Sequence, residues 1–437
     1  MSSEVIFLFD FGGSYTKAHI WELGTFKKQV VTPSTKVNHG PLGECEIDAD
    51  DFRGELTKFF QMLIHEFGEP TQIAITGQMA SFLIVDSQAN PVTPIISWQD
   101  ERSLATKNDE ASLYEKNKIA LSKLPTQNYD GIRAGLPLMY FSSILGRNYF
   151  PDASKILSVN QYAALILDKE LKLEDIQIHE SEAASTGLHD LSTGTWSLEL
   201  LKIAGIGTDL LPSISNKFGF LGATEIGKYQ TRIPLGDFQT AIEGVGLKPN
   251  QMFIHIATGG QVARYADEIV DPLATQENWI QCRPSLYDHR IIQAVTHLPA
   301  GRLLSSIAEI LEKIEVSNSW ERIDRYFGES SPLLFNIDIA DRREFSISGI
   351  PSSGFEIESL IKGVLHGLLN TYRFVIDKML APQIEGMVFS GGALNKLPNL
   401  MEKLKRSDLE LAFQSHDDID TSLKGLAHLV GLSTFKS

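Results

Sequence analysis

Two stretches of the chain, one at its start and one past its middle, read as the same structural unit. Val5-Ile6-Phe7-Leu8-Phe9 is an unbroken apolar run of strand length that enters Asp10-Phe11-Gly12-Gly13-Ser14, and Thr16 to Trp21 reads as a returning strand. Met252-Phe253-Ile254-His255-Ile256 leads in the same way into Ala257-Thr258-Gly259-Gly260-Gln261 and then Val262-Ala263-Arg264-Tyr265. Laid over one another, Phe9-Asp10-Phe11-Gly12-Gly13 matches Ile256-Ala257-Thr258-Gly259-Gly260. An internal duplication of this kind predicts two similar halves with a boundary near 240–250. No Pro-rich or low-complexity linker separates them, so the halves are expected to pack closely with a cleft between.

Between these units the hydrophobic period changes. From Asp50 to Phe67 the apolar residues Phe52, Leu56, Phe59, Phe60, Leu63, Ile64 and Phe67 recur at helical spacing, and Gly68 stands where a helix stops. Gln72 to Thr76 and Phe82 to Val85 read as strands on either side of Gly77. In the second half a helical pattern runs from Phe355 to Leu380, with Ile357, Leu360, Ile361, Val364, Leu365 and Leu368 on one face and Pro382 closing it. A strand at Gly386 to Ser390 then meets Gly391-Gly392-Ala393, a glycine turn and helix start. Strand and helix alternate, so the class is α/β.

Composition narrows the function classes. Hydrophobic residues at 43% and charged residues at 22% suit a folded globular chain rather than a disordered one. A net charge of −16 with no Lys/Arg cluster disfavours a nucleic-acid surface, because an acidic chain repels a polyanion. Cys45 and Cys282 are the only cysteines and show no metal-ligand spacing, and the histidines form no HxxxH pair. Met1-Ser2-Ser3-Glu4 lacks a basic leader, and no apolar run reaches the length of a bilayer span, so the expectation is a cytoplasmic protein without a membrane partner.

Three glycine pairs follow apolar strands: Gly12-Gly13, Gly259-Gly260 and Gly391-Gly392. Successive backbone amides freed of side chains form an anion-binding concavity, which points to phosphate. Two familiar phosphate motifs fail. Gly222 to Tyr229 nearly spells a P-loop but has Tyr229 where a small hydroxyl is needed, and Gly205-Ile-Gly207 lacks the third glycine of a dinucleotide fingerprint. Asp10, at the end of a buried strand, is placed to hold Mg²⁺ through water, and Lys17 to reach a phosphate as a point charge. Gln78 and Met79, with Trp98, Gln99 and Asp100, supply the amide, carboxylate and indole groups that suit a polyhydroxylated ligand. Asp237, between a short strand and a helical pattern near the expected boundary, is a candidate base for the proton of an attacking alcohol.

Taken together and in chain order, these motifs resemble the FGGY carbohydrate kinases, part of the wider actin-like, sugar-kinase and Hsp70-like ATPase group. The resemblance implies two ribonuclease-H-like (actin-like ATPase) domains with a cleft between them. Residues 1–246 would form a sugar-binding domain and residues 247–437 a nucleotide-binding domain. It implies ATP and Mg²⁺ as cofactors and a small sugar as substrate, and leaves a homodimer open. By the same resemblance Asp10, Gly12, Gly13, Ser14 and Lys17 form the first phosphate loop, and Thr258 with Gly259 the second. Gly301 is a nucleotide-contacting glycine, and Gly391, Gly392 and Asn395 form an adenosine motif. Gln78, Met79, Trp98 and Asp100 bind the sugar, Asp237 is the catalytic base, and Asp10 and Asp237 hold Mg²⁺ through water. Glu182 to Asp190 is similar to the family's Ala-Ser-x-x-Gly-Leu-x-Asp stretch.

The implied reaction is transfer of the ATP γ-phosphoryl group to a terminal primary hydroxyl of a ketose. Trp98-Gln99-Asp100, Gly236-Asp237-Phe238-Gln239 and Arg283-Pro284 lean toward the sedoheptulokinase branch, with a xylulokinase or other pentulose or polyol kinase as the alternative. The chain also departs from the family pattern. Ser14 is the only small hydroxyl among Gly13, Ser14 and Tyr15, and Ala80 replaces the histidine that often follows Gly-Gln-Met. These departures set up a second expectation from another class, a catalytically weak sugar- or nucleotide-binding relative with a regulatory role. An actin- or Hsp70-like ATPase has no need of Gln78, the Trp98–Asp100 segment or Asp237.

Overall fold

A computed structural model describes residues 4–105, 112, 152–222, 229–257, 259–268, 279–286, 290–314, 317–331, 333–337, 345–348, 356–414 and 420–432. Phe355, at the expected start of the long second-half helix, and most of the rejected Gly222–Tyr229 loop lie outside them.

The first half is organised on strands β1 (Val5–Phe11), β2 (Tyr15–Glu22) and β3 (Thr25–Pro33), joined by tight returns and therefore antiparallel. Helix α1 (Ala49–Phe67) then carries the chain back over the sheet, so β4 (Gln72–Gly77) joins β1 in parallel. Two short strands, β5 (Gln230–Thr231) and β6 (Leu235–Gly236), add to the far side of β4, also parallel. Helix α2 (Asp237–Gly244) follows directly.

The second half repeats this plan. β7 (Gln251–Ile256), β8 (Gly260–Ala266), β9 (Gln281–Pro284) and β10 (Ile291–Leu298) form the antiparallel part, in the order β9-β10-β8-β7. Helices α3 (Gly301–Lys313) and α4 (Ile357–Met379) precede β11 (Gly386–Ser390), which pairs with β7 in parallel. After α5 (Gly392–Lys396), β12 (Glu410–Gln414) extends the sheet in parallel beyond β11, and the described chain closes with α6 (Thr421–Leu429). In each half a central first strand has its hairpin partner on one side and its crossover partner on the other. The duplication seen in the sequence is thus a duplication of topology.

Strand alternation assigns the faces of β1. Phe7, Phe9 and Phe11 point toward α1, where Phe60, Phe59 and Phe52 meet them at ring separations of 6.1–6.3 Å. Ile6 and Leu8 point to the opposite face and pack with Leu423, Leu426 and Ala427 of α6. Each fully buried residue of this size contributes roughly 1.5–3 kcal/mol, so both faces are strongly specified. Asp10 shares the face of Ile6 and Leu8 and is buried. An ionised carboxylate in that place costs several kcal/mol unless it is paired, hydrogen-bonded or neutralised.

The covering helices are exchanged between the halves. α2, from the first half, packs Phe238, Ala241 and Ile242 on Phe253, Ala263 and Val388 of the second sheet. α6, from the end of the chain, covers the first sheet. The two helices cross at glycines: a Cβ on Gly244 would lie 1.9 Å from the Thr421 carbonyl oxygen, and one on Gly425 would lie 1.9 Å from that of Thr240. A cut of the chain at 246/247 falls in the turn after α2, but the layers on either side of it draw a helix from the other half.

Two expectations are refined by the structure. Ile357 and Leu360 were expected on one face with Ile361, Leu365 and Leu368; Ile357 is 48% exposed and Leu360 only half-buried, both lying in the first turn of α4. Gly260, the second residue of its glycine pair, is buried. It opens β8, and a Cβ there would lie 1.7 Å from the Tyr372 hydroxyl, so its role is packing.

Candidate active site

The seven-residue interval between Asp10 and Lys17 is a consequence of hairpin register. The two are direct cross-strand partners in β1–β2, so both side chains leave the same face, the one under α6. The turn between them is braced: the Gly12 N–H donates to the Tyr15 carbonyl (3.1 Å) and the Ser34 hydroxyl to the Gly12 carbonyl (2.8 Å). Asp237 is fixed from three sides. β6 pairs with the end of β4, the Ser181 hydroxyl accepts the Gly236 N–H (3.0 Å), and the Thr240 and Ser422 hydroxyls donate to the Asp237 carbonyl (3.0 and 3.3 Å). It is the first residue of α2, with Gly236 at the cap position, and its carboxylate accepts the Phe238 N–H of the first turn.

These elements enclose a cavity of about 420 Å³ between the halves. From the first half it is lined by Asp10, Gly12, Gly13 and Lys17, by Gln78 and Met79 after β4, and by Trp98 and Asp237. The second half contributes Gly259, Gly391, Gly392 and Asn395. Gly391 has φ +108° and lies against the end of β7, where a Cβ would be 2.3 Å from the Ile256 carbonyl oxygen, so the turn admits no side chain. A Cβ on Gly259 or Gly392 would instead meet no atom within 4 Å, leaving backbone open to the cavity.

Three expected residues stand elsewhere, and one lies outside the described residues. Ser14 is exposed and off the cavity wall, its carbonyl accepting the Ser34 N–H. Asp100 is turned away into a buried clamp, accepting the Cys45 N–H (2.8 Å) and the Arg102 guanidinium (2.6–2.9 Å). Gly301 begins α3, and its N–H goes to the Ala257 carbonyl (2.8 Å), shaping the second loop from behind. Thr258 is the residue outside.

The cavity also holds side chains that had not been singled out. Asp420 caps α6 and forms an ion pair with Lys17, while Thr421 and Ser422 follow it on the wall. The aspartate before an apolar helical run is legible as an N-cap, but nothing in sequence places it above Lys17. His255 was a visible anomaly, a polar residue in a buried strand; burial holds its ring down to about 4, so it is neutral at pH 7. Trp98 lies between the halves, 5.4 Å from the His297 ring and with the Arg302 guanidinium 4.8 Å above its own.

Electrostatics sets the three carboxylates apart. Burial lifts Asp237 to about 7, with Asp420 adding to the rise and the Phe238 N–H and Arg283 opposing it. Its side chain keeps partial access to the cavity, so enclosure of the cleft sustains that value. Burial also raises Asp10 well above the ordinary carboxylate range, reinforced by Asp420 and Asp237 and opposed by Lys17. Burial works against the Asp420 charge, but Lys17 and the first N–H groups of α6 outweigh it and keep the group ionised. Burial likewise opposes the Lys17 charge, and Asp420 and Asp10 overcome it.

Asp10 Oδ1 is buried without a hydrogen-bond partner among the described residues. An oxygen so placed beside the cavity fits a water-held divalent cation or a phosphate-bound one. No three His, Cys, Asp or Glu side chains converge as a metal site among the described residues. The donor set therefore fits Mg²⁺ that keeps its waters and takes phosphate oxygens, rather than an all-protein cage.

Comparison with known proteins agrees with this architecture. The profile of the FGGY family of carbohydrate kinases, N-terminal domain, matches residues 5–232. A glycerol kinase of Trichormus variabilis is 28% identical over 230 residues, 48% of this chain and 44% of that protein. A Homo sapiens sedoheptulokinase is 21% identical over 269 residues, 56% of each. The matched region thus spans about half the length of these curated relatives. Over the whole fold, the crystal structure of a ligand-bound xylulose kinase from Lactobacillus acidophilus superposes with a TM-score of 0.76 at 16% identity, covering 99% of this chain and 90% of that one. The fold is the two-domain, actin-like α/β architecture with a central cleft, and the chain belongs to the FGGY family of carbohydrate kinases.

Proposed function

We propose that this protein is an ATP-dependent kinase that phosphorylates a terminal primary hydroxyl of a ketose, with sedoheptulose the first candidate and a pentulose such as xylulose the second. The observation that carries the reading is Asp237, an aspartate lifted to about 7 on the wall of a cavity that also presents Asp10 and Lys17. A general base works best when its pKa lies near the operating pH, and an ordinary surface aspartate is too weak a base for that. Asp237 takes the proton of the acceptor hydroxyl as its oxygen forms the new bond to phosphorus, and the γ-phosphoryl group leaves ADP. Lys17 and the open backbone at Gly259 and Gly392 face the phosphates and offset charge on the transferring group. Mg²⁺ held through water by Asp10 and Asp237 supplies further charge neutralisation when bound.

Gln78, Met79 and Trp98 line the cavity from the first half; they would hold the acceptor, with Trp98, packed on His297 and Arg302, keeping water from competing with the sugar. The choice of sugar rests on Trp98-Gln99-Asp100, Gly236–Gln239 and Arg283-Pro284, of which Trp98, Asp237 and Arg283 line the cavity. A second reading, a binding relative of low activity, is favoured by Ser14, the one small hydroxyl of the first loop, standing off the cavity wall. The test is ADP formation from ATP and Mg²⁺ across sedoheptulose, xylulose, ribulose, pentitols and glycerol. One acceptor raising ADP release at least tenfold over the acceptor-free rate supports the kinase reading. A flat panel from folded, ADP-binding protein supports the second.

A further inference from the structure

We propose that Asp420 is a positioning residue for the phosphoryl end of the cavity, which holds the Lys17 ammonium in a fixed place and couples it to the first turn of α6; this rests on the reading of Lys17 as a phosphate contact. The carboxylate divides its two oxygens between two tasks. Oδ1 accepts the N–H groups of Ser422 (2.9 Å) and Leu423 (3.3 Å), capping α6, and Oδ2 accepts Lys17 Nζ. Two residues on, the Ser422 hydroxyl donates to the Asp237 carbonyl (3.3 Å). One helix terminus from the end of the chain therefore touches both the lysine of the first loop and the backbone of the base. The arrangement follows from the exchanged helices, because α6 covers the face of β1 and β2 from which Asp10 and Lys17 emerge.

Lysine is a poor positioning group on its own. Its four-carbon stem carries about 2 kcal/mol of rotamer entropy, and its ammonium has no preferred direction. An acceptor fixed at a helix cap removes most of that freedom, and the ammonium still has two donors left for phosphate oxygens. The same carboxylate has an opposing effect. It places a further negative charge in a cavity that already holds Asp10 and Asp237, which works against a polyanionic nucleotide. Asp420 thus favours geometry in the transition state over affinity in the ground state, and that combination has its own kinetic signature.

The test uses the full chain as wild type, Asp420→Asn and Lys17→Met. Asparagine caps a helix about as well as aspartate but carries no charge, so the substitution removes the ion pair and spares α6. ADP binding is measured by titration calorimetry without acceptor, and kcat and KM for ATP with the best acceptor. Asp420→Asn should bind ADP about three- to tenfold more tightly, as one cavity charge is lost and Lys17, with only Asp10 beside it, is freer to turn to the phosphates. Its kcat should fall by at least about tenfold as the ammonium loses its fixed place. Lys17→Met should lose both affinity and turnover. Should the asparagine variant not fold, Asp420→Ser, which also caps without charge, replaces it. Unchanged or weaker ADP binding, or a kcat within twofold of wild type, overturns the proposal. Wild-type protein that binds no ADP removes the reading of Lys17 beneath it, and that is seen before any variant is compared.

Discussion

Asparagine at position 237 should make this protein more stable while removing its activity, and the stability gain should depend on pH. An unfolded aspartate titrates near 3.9, whereas burial raises Asp237 in the folded chain to about 7. The folded state therefore binds this proton more tightly than the unfolded state. Below about pH 3 both states are protonated and the group costs nothing. Between about pH 3 and 7 the unfolded chain releases its proton first, so stability falls as pH rises, and above 7 the full penalty is present. Three units at 1.36 kcal/mol each set an upper bound of about 4 kcal/mol, and access of the side chain to the cavity discounts this to about 1–2 kcal/mol. Asparagine has the same shape and no charge, so it escapes the penalty. Thermal unfolding of wild type and Asp237→Asn should show similar midpoints near pH 3 and a variant that melts about 1–2 °C higher at pH 8. Turnover should drop by about two to four orders of magnitude, with sugar binding nearly intact. A variant that is less stable at pH 8, or whose midpoint differs from wild type equally at both pH values, would refute the claim that Asp237 is a strained carboxylate kept for chemistry.

The remaining expectations concern rates and packing. In the wild type, kcat/KM for the acceptor should fall about tenfold per pH unit below an acid limb near 7, because Asp237 must be ionised to take the proton; a limb near 4 contradicts the raised value. Gly425→Ala places a methyl 1.9 Å from the Thr240 carbonyl and should force α2 and α6 apart, lowering stability by more than about 2 kcal/mol and slowing turnover through the displaced start of α2. Denaturant titration reads the first effect, and an unchanged midpoint argues against the glycine crossing. Asp100→Asn should cost about 1–3 kcal/mol of stability through the Arg102 clamp, with KM for the acceptor within about threefold of wild type. An unchanged melting point together with a tenfold rise in KM would return Asp100 to the sugar.

What could be read in the sequence followed the range over which each signal acts. Hairpins and amphipathic helices are local, so both glycine-terminated units, α1 and the β11 turn stood out from their periodicity alone. Most of the candidate site was legible for the same reason: Asp10, Lys17, Asp237 and the glycines sit at strand ends and helix starts, where local pattern breaks. Asp100 was misplaced because a carboxylate two residues from an arginine has a nearer partner than any ligand, and spacing does not reveal which it takes. The exchange of α2 and α6 was invisible, since an apolar stripe says that a helix is covered but not by which sheet. Asp420 was lost with it: its contact with Lys17 joins the two ends of the chain and exists only once α6 crosses to the first half.

The central claim is that the cleft transfers a phosphoryl group to a primary hydroxyl with Asp237 as base. The most direct measurement identifies the product. Protein, ATP, Mg²⁺ and the acceptor that releases most ADP are incubated and followed by phosphorus and carbon NMR, in parallel with Asp237→Asn. The expected product is a phosphomonoester on the terminal carbon of the sugar, formed in equal amount to ADP by wild type and nearly absent with the variant. Inorganic phosphate in place of the ester, or the same ester at an undiminished rate from Asp237→Asn, would contradict it.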